Sequence, residues 1–315
     1  MQQDAAPTGR PLVIGHRGAP GYLPEHTRAS FLLAIEQGAD AIEVDVVPSR
    51  DGVLVVRHEH ALGGTTDVAL HRELGRRRRQ GAAGRDWFAE DFDWGELQTL
   101  RARERLPRIR PRSAAHDGEE PLLRLADVAA LAAAHGVRLV VELKDSVDAE
   151  RLGLPLPDLL LAELAGVDPL PAVSVECFEK SPLRTLADRG TGWPLVYLVE
   201  AQGTAADERG TGGPSYREEL AGPQALAGLA GVSVPLALAT PAVVERLAAA
   251  GLSTWTWTLR PENVFLPLTY RRLGAPGAFG YWRPYWREVL ASGVTAVFAD
   301  HPDLAVAIRN EVAGG

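Results

Sequence analysis

Cysteine is nearly absent: Cys177 is the only one in 315 residues, so no intramolecular disulfide can form, and a zinc site built from several thiolates is excluded. Redox logic therefore does not assign a compartment. Positive charge is outnumbered as well, 33 Lys and Arg against 41 Asp and Glu, for a net charge of -8. That balance excludes a polyanion such as nucleic acid as the main partner and leaves room for a local basic pocket that takes one phosphate. Residues 1–10 are polar and run straight into a strand pattern. With no charged start followed by an apolar run, neither a leader nor a stable membrane anchor is visible, and the expected location is cytoplasmic; a mature secreted form would read the same way. Oligomeric state leaves no mark in the sequence. What is present is apolar content of 46%, enough to bury a large core in one big domain with or without an insertion.

Short apolar runs alternate with helical patterns. Strands are predicted at 11–15, 41–47, 53–58, 137–143, 173–177, 195–199, 229–234, 253–259 and 294–299, with helices at 27–37, 124–135, 158–165, 182–188, 241–250 and 303–312. A count of about eight strands, most separated by helices, favours a β/α barrel over an open sheet. The barrel is expected to span 11–312. Its second and third strands are joined only by Pro48-Ser49-Arg50-Asp51-Gly52, too short for a crossover helix, so one helix is missing after the second strand. Residues 59–121 form a long interruption, read as an inserted subdomain on the rim. Trp87, Phe88, Phe92 and Trp94 within it require a packing surface, whereas the run Arg76-Arg77-Arg78-Arg79 reads as a solvated face.

Chemistry concentrates at predicted strand ends, where barrel enzymes build their sites. In Ala41-Ile42-Glu43-Val44-Asp45-Val46-Val47 the side chains alternate, so Glu43 and Asp45 share one face and Ile42, Val44 and Val46 the other. Two sheltered carboxylates repel unless a proton or cation intervenes. A bound metal is one resolution; a solvated edge strand, or ion pairs with nearby arginines, is the other. The first strand ends in Gly15-His16-Arg17-Gly18 and the third in Arg57-His58. Glu142 and Lys144 also share a face, either as an internal ion pair or as part of a site. Trp257, in a Thr-Trp alternation, is either core or the roof of a pocket. Together these give three carboxylates (Glu43, Asp45, Glu142), two imidazoles (His16, His58) and two cations (Arg17, Lys144). Oxygen ligands suit Ca²⁺ or Mg²⁺ rather than zinc. Two histidines beside a metal and cations suit cleavage of a phosphate ester, one taking a proton from the nucleophile and the other protonating the leaving alkoxide.

Several motifs in order, Val13-Ile14-Gly15-His16-Arg17-Gly18, Pro24-Glu25-His26-Thr27, Ile42-Glu43-Val44-Asp45-Val46, Asp51-Gly52 before His58, Val141-Glu142-Leu143-Lys144, Trp255-Thr256-Trp257 and Phe298-Ala299-Asp300-His301-Pro302-Asp303, resemble the glycerophosphodiester phosphodiesterases. The stretch from Thr65 to Arg105 resembles the insertion of that family's longer subtype. The resemblance implies a TIM (β/α)8 barrel and metal-dependent hydrolysis of small glycerophosphodiesters, such as glycerophosphocholine, to sn-glycerol 3-phosphate and an alcohol. It implies His16 and His58 as general acid and base, Glu43, Asp45 and Glu142 as metal ligands, and Arg17 and Lys144 as phosphate contacts; Trp257, if it roofs the pocket, is a substrate contact on its own pattern. A cyclic phosphate intermediate and direct attack by water are both compatible with it. The chain departs from the pattern at His26, where the family usually has Asn, and at Glu176-Cys177-Phe178, where it commonly has Gln-Ser-Phe. Two other functions share these residues: a lipid-directed phosphodiesterase of the lysophospholipase D kind, which an exposed apolar rim would favour, and a non-catalytic phosphate-binding protein.

Overall fold

Valine and isoleucine, stiff at χ1 and suited to a pleated surface, fill the segments that become strands. The computed structural model describes residues 9–313, so all but the last two residues of the polar stretch 1–10, on which the absence of a leader was read, lie outside the described residues. Among the described residues there are eleven strands: β1 Leu12–His16, β2 Ala41–Pro48, β3 Leu54–Val56, β4 Arg79–Gly81, β5 Gly84–Asp86, β6 Arg138–Leu143, β7 Val173–Cys177, β8 Leu195–Leu198, β9 Gly231–Pro235, β10 Ser253–Leu259 and β11 Ala296–Ala299. Eight of them, in the order β1-β2-β6-β7-β8-β9-β10-β11, pair in parallel, and β11 pairs with β1 to close a TIM barrel.

The strand expected at 53–58 is real but is not a stave of the barrel. β3 runs antiparallel to β2, with Val46 opposite Val56 and Pro48 opposite Leu54, because a five-residue link permits only a hairpin return. The helix that completes the β2 unit comes much later, at Leu125–His135, and stops at Gly136, whose φ of 65° suits glycine. The first helix, Arg28–Glu36, is set by Thr27, whose hydroxyl accepts from the Ser30 amide at 3.2 Å. Further helices at Leu156–Leu164, Lys180–Asp188, Tyr216–Ala221, Pro241–Ala249, Trp282–Ala291 and Pro302–Ala313 cover the outside. No helix among the described residues is long and apolar enough to cross a membrane.

The main core lies between strands and helices. Outward-facing Val13, Ile42, Val44, Leu139, Val141, Val175, Val232 and Val297 pack there against Phe31, Leu125, Leu160, Leu183 and Trp286. Each such aliphatic side chain, once fully buried, stabilises the fold by about 1.5–3 kcal/mol. A second cluster gathers Leu62, Val68, Trp87, Phe92, Leu97 and Leu100 on Val47 and Val55 of the hairpin, which answers the need of these aromatics for a packing surface. The arginine run is not simply solvated. Arg77, Arg78 and Arg79 lay their guanidinium groups over Phe92, Trp87 and Phe88 at 3.8, 5.1 and 4.0 Å from the ring centroids. Planar guanidinium groups favour an aromatic face over bulk water when one is in reach.

Candidate active site

Alternation along the staves decides what faces the barrel axis. Ile14, Ala41, Val140, Val196, Trp255 and Phe298 form a small apolar plug inside the barrel. The next positions on the same face, two residues on, are His16, Glu43, Glu142, Leu198, Trp257 and Asp300. The barrel interior thus changes in one step from an apolar layer to one in which four of these six side chains, His16, Glu43, Glu142 and Asp300, are ionisable, toward the carboxyl ends of its strands. There it opens into a cavity of about 610 Å³ lined by His16, Arg17, Glu43, His58, Glu142, Lys144, Glu176 and Trp257 among others.

Both histidines are held by a carboxylate through the same ring atom. His16 Nδ1 lies 2.6 Å from Asp300 Oδ1, and His58 Nδ1 lies 2.7 Å from Glu59 Oε1. An Nδ1–H donated to a carboxylate leaves Nε2 as the free, basic nitrogen. Burial, reinforced by the adjacent Arg17, pushes His16 down to about 4 in spite of Asp300. Burial also lowers His58, against the pull of Asp45. His58 Nε2 stands 3.2 Å from Lys144 Nζ. Lys144 in turn donates to Glu142 Oε1 at 2.6 Å and lies 3.6 Å from Asp45 Oδ1; the two acids keep it charged despite its burial.

The Arg17 backbone amide donates to Glu43 Oε2 at 2.8 Å, which fixes that carboxylate at the mouth of β1. The Arg17 backbone has φ of 58°, unusual for a side-chain-bearing residue, and its guanidinium Nε lies 3.0 Å from Asp45 Oδ2. Asp45 is also 3.2 Å from His26 Nε2. Burial alone would raise Asp45, but Arg17 first, with His58 and Lys144, holds it well below the usual carboxylate range. The other acids go the opposite way. Burial and then Asp45 push Glu43 well above its ordinary value, burial and then Glu142 do the same to Glu176, and burial takes Glu142 up to about 8 even against Lys144.

The structure gathers His16, His58, Arg17, Lys144, Glu43, Glu142 and Trp257 around one cavity. The acids whose oxygens converge, all within 4.8 Å of one another, are Glu43, Glu142 and Glu176. Asp45 stands beside them and is drawn toward its cations. Glu176, at 2% exposure, has an Oε2 with no hydrogen-bond partner. The register places Asp45 beside Glu142 and Glu142 beside Glu176 across neighbouring staves. A buried acidic triad with an unpartnered oxygen fits a hard divalent cation: the donors are oxygens, and their mutual repulsion is what such an ion relieves. Trp257 packs edge-on against Phe178 with ring centroids 5.9 Å apart. Asp300, which continues the inward period of β11, also belongs to the assembly, as do Glu59, Glu25, Arg105, Arg110 and Arg260, which follow no strand period.

The profile of the glycerophosphoryl diester phosphodiesterase family matches residues 16–304. A glycerophosphodiester phosphodiesterase of Arabidopsis thaliana is 39% identical over 146 residues, 44% of this chain and 38% of the relative. One of Haemophilus influenzae is 45% identical over 98 residues, 30% of this chain and 24% of the relative. The chain thus spans two-fifths or less of the length of these curated relatives. A solved structure from Silicibacter pomeroyi superposes with a TM-score of 0.73 at 23% identity, covering 98% of this chain and 96% of the other. An Oleispira antarctica phosphodiesterase, solved in complex with the product sn-glycerol-3-phosphate, gives a TM-score of 0.66 at 21% identity, with 95% and 96% covered.

Proposed function

The chain belongs to the glycerophosphoryl diester phosphodiesterase family, and on that premise we propose that it hydrolyses small glycerophosphodiesters such as glycerophosphocholine to sn-glycerol 3-phosphate and an alcohol. The carrying observation is the pairing, in one cavity, of two histidines each held at Nδ1 by a carboxylate with a convergent set of buried acids. The catalytic unit is one barrel domain, 11–312, with 59–121 as an inserted subdomain.

Arg17 and Lys144 bind the phosphoryl oxygens, and Trp257 covers the substrate. One of His16 and His58, neutral at rest as burial favours, takes the proton from the attacking hydroxyl, while the other must enter the step as imidazolium, protonated on both nitrogens, to deliver a proton to the leaving alkoxide and end neutral. Asp300 and Glu59 keep each Nδ1 protonated and stabilise the imidazolium formed in turn. The attacking hydroxyl is the neighbouring glycerol oxygen, held next to phosphorus, with water as the alternative nucleophile. Glu43, Asp45 and Glu142 would hold Ca²⁺ or Mg²⁺, with Glu176 beside them. When bound, the ion neutralises charge developing on the phosphoryl oxygens.

One observation favours the lysophospholipase D alternative. The segment after β10, whose Arg260 and Phe265 line the cavity, leaves Val264, Leu268, Leu273, Phe279 and Tyr281 exposed, which amounts to an apolar rim. Glycerophosphocholine and lysophosphatidylcholine assayed side by side separate the two substrates, and release of glycerol 3-phosphate is expected only with divalent metal. Undiminished turnover in excess chelator rejects the metal-dependent mechanism. A phosphate binder without catalysis would tolerate His58→Ala; the enzyme is expected to lose about 10²–10⁴-fold in rate.

A further inference from the structure

The carboxylates that hold the two histidines are themselves held, and by residues of one short stretch. Arg105 donates to Glu59 through both terminal nitrogens, one of them at 2.7 Å to Oε2, and to Glu25 through Nε at 2.8 Å and Nη2 at 2.5 Å. Five residues later Arg110 donates to Asp300 Oδ2 at 2.6 Å and to Glu262 Oε1 at 2.7 Å. Asp300 Oδ1 faces His16, and Glu59 Oε1 faces His58. The stretch is braced as a turn. Ile109 and Arg110 both donate backbone amides to the Leu106 carbonyl at 2.8 Å, and buried Glu104 accepts from the Leu106 amide at 2.7 Å. His16 and His58 stand at the ends of different strands, on opposite sides of β2 in sequence, yet each is reached from this one turn by the same relay of arginine, carboxylate and Nδ1.

We propose that Arg105 and Arg110 are positioning residues through which the segment 105–110 sets both proton-transferring histidines, Arg105 by way of Glu59 and Arg110 by way of Asp300. The inference rests on the reading of His16 and His58 as the acid and base. A fork-shaped guanidinium fixes the plane of the carboxylate it grips, and a fixed carboxylate fixes the ring and its tautomer. The two arms differ in redundancy. Asp300 Oδ2 also accepts from Arg260 at 2.7 Å, so the His16 side keeps a second arginine when Arg110 is changed. Among the described residues the ion pairs of Glu59 are with Arg105 and His58, and it is partly exposed, so the His58 side depends on Arg105 more heavily. A purely structural role for the two ion pairs would stabilise the rim without changing the state of either imidazole.

The test uses the full chain with Arg105→Ala, Arg110→Lys, Glu59→Ala and the double variant Glu59→Ala/Arg105→Ala, with turnover of glycerophosphocholine and the imidazole ¹⁵N shifts of His16 and His58 as readouts. Arg105→Ala is expected to lower kcat about 10–100-fold, as loss of a group supporting a catalytic ligand does. It should shift the His58 nitrogens away from the Nδ1–H pattern while leaving those of His16 in place. Arg110→Lys, which retains a charge at the buried position, should perturb His16 alone, and by less. The double variant should be no slower than Glu59→Ala. Unaltered His58 nitrogen shifts in Arg105→Ala, or additive losses in the double variant, would overturn the proposal. Wild-type turnover by His16→Ala and His58→Ala would instead overturn the parent reading, and the nitrogen spectra keep the two failures apart because they are recorded without turnover.

Discussion

Three buried glutamates whose acidities are all weakened should make the metal-free protein lose stability as pH rises through neutrality. Glu43, Glu142 and Glu176 hold protons in the folded state that an unfolded chain, with glutamates near 4.3, would have released. Where the folded state binds more protons, stability falls with rising pH at about 1.4 kcal/mol per pH unit for each such group, until the folded pKa is passed. The window matters. His16, His26 and His301 are pushed down by burial to about 4, 3 and 4, so below pH 6.5 the unfolded chain binds the extra protons and stability rises with pH. Asp45 and Asp300, held well below the ordinary range, gain their advantage above pH 3.9 and change nothing near neutrality. Between pH 7 and 8 the raised glutamates act without that opposition. Glu142 alone, at about 8, gives roughly 1 kcal/mol over that unit, and Glu43 and Glu176, raised in the same direction, add to it. At about 1.5 °C per kcal/mol for a chain of 315 residues, thermal melts in excess chelator should show Tm falling by roughly 1.5 °C or more from pH 7 to 8. Saturating Ca²⁺ or Mg²⁺ should flatten that slope, since binding to the carboxylates displaces their protons. Glu176→Gln should raise the metal-free Tm at pH 8 and shrink the gain on adding metal. A metal-free Tm that is flat or rising between pH 7 and 8 would refute this account of the acidic cluster.

Other expectations follow from single contacts. The histidine that serves as acid should become dispensable when the leaving group needs no proton: of His16→Ala and His58→Ala, one should regain most of its rate with a nitrophenyl ester of glycerol phosphate and the other should stay slow, as measured by nitrophenolate release. A Cβ at Gly15 would stand 2.8 Å from both Ala34 Cβ and the Gly18 carbonyl oxygen, so Gly15→Ala should cost about 1–3 kcal/mol in denaturant melts and reduce turnover by moving the strand end that carries His16. Trp286, fully buried between helix and barrel, should cost about 3–5 kcal/mol on change to Ala, with KM for the remaining folded enzyme unaltered.

The staves and their chemistry were legible because a period of two is a local signal. Spacing alone puts Glu43 with Asp45 on one face of β2 and Glu142 with Lys144 on one face of β6, and these side chains lie together in the interior. Even the link at 48–52 carried the information that no helix follows β2; it also implied the hairpin, which a count of strands by composition does not separate from a barrel stave. The helix Trp282–Ala291 went unread because Pro284 in its first turn and its charged residues hide the apolar face of Trp282, Trp286, Val289 and Leu290. The partners of the histidines were illegible for a different reason. Asp300 continues the inward face of β11 but lies 284 positions from His16, and Arg110 lies 190 from Asp300 in a connection whose positions follow no period. Such contacts depend on how loops fold back over the barrel mouth, which no short window of sequence contains.

The contrast between Asp45 and its neighbours follows from where the cations stand. All four acids, Glu43, Asp45, Glu142 and Glu176, are buried, and burial alone would raise every one of them. Arg17 reaches Asp45 at 3.0 Å, so one acid stays ionised and the other three are left to share its field at close range. A single charge-compensated aspartate next to three proton-holding glutamates makes a seat that is nearly neutral when no cation is bound and strongly anionic once its protons leave. Arg17→Lys keeps one charge but loses the guanidinium fork that spans Asp45 and Glu25. Asp45 should then rise toward its neighbours, and metal affinity measured by calorimetry should weaken most at pH 6, where the added proton must be displaced, and least at pH 8.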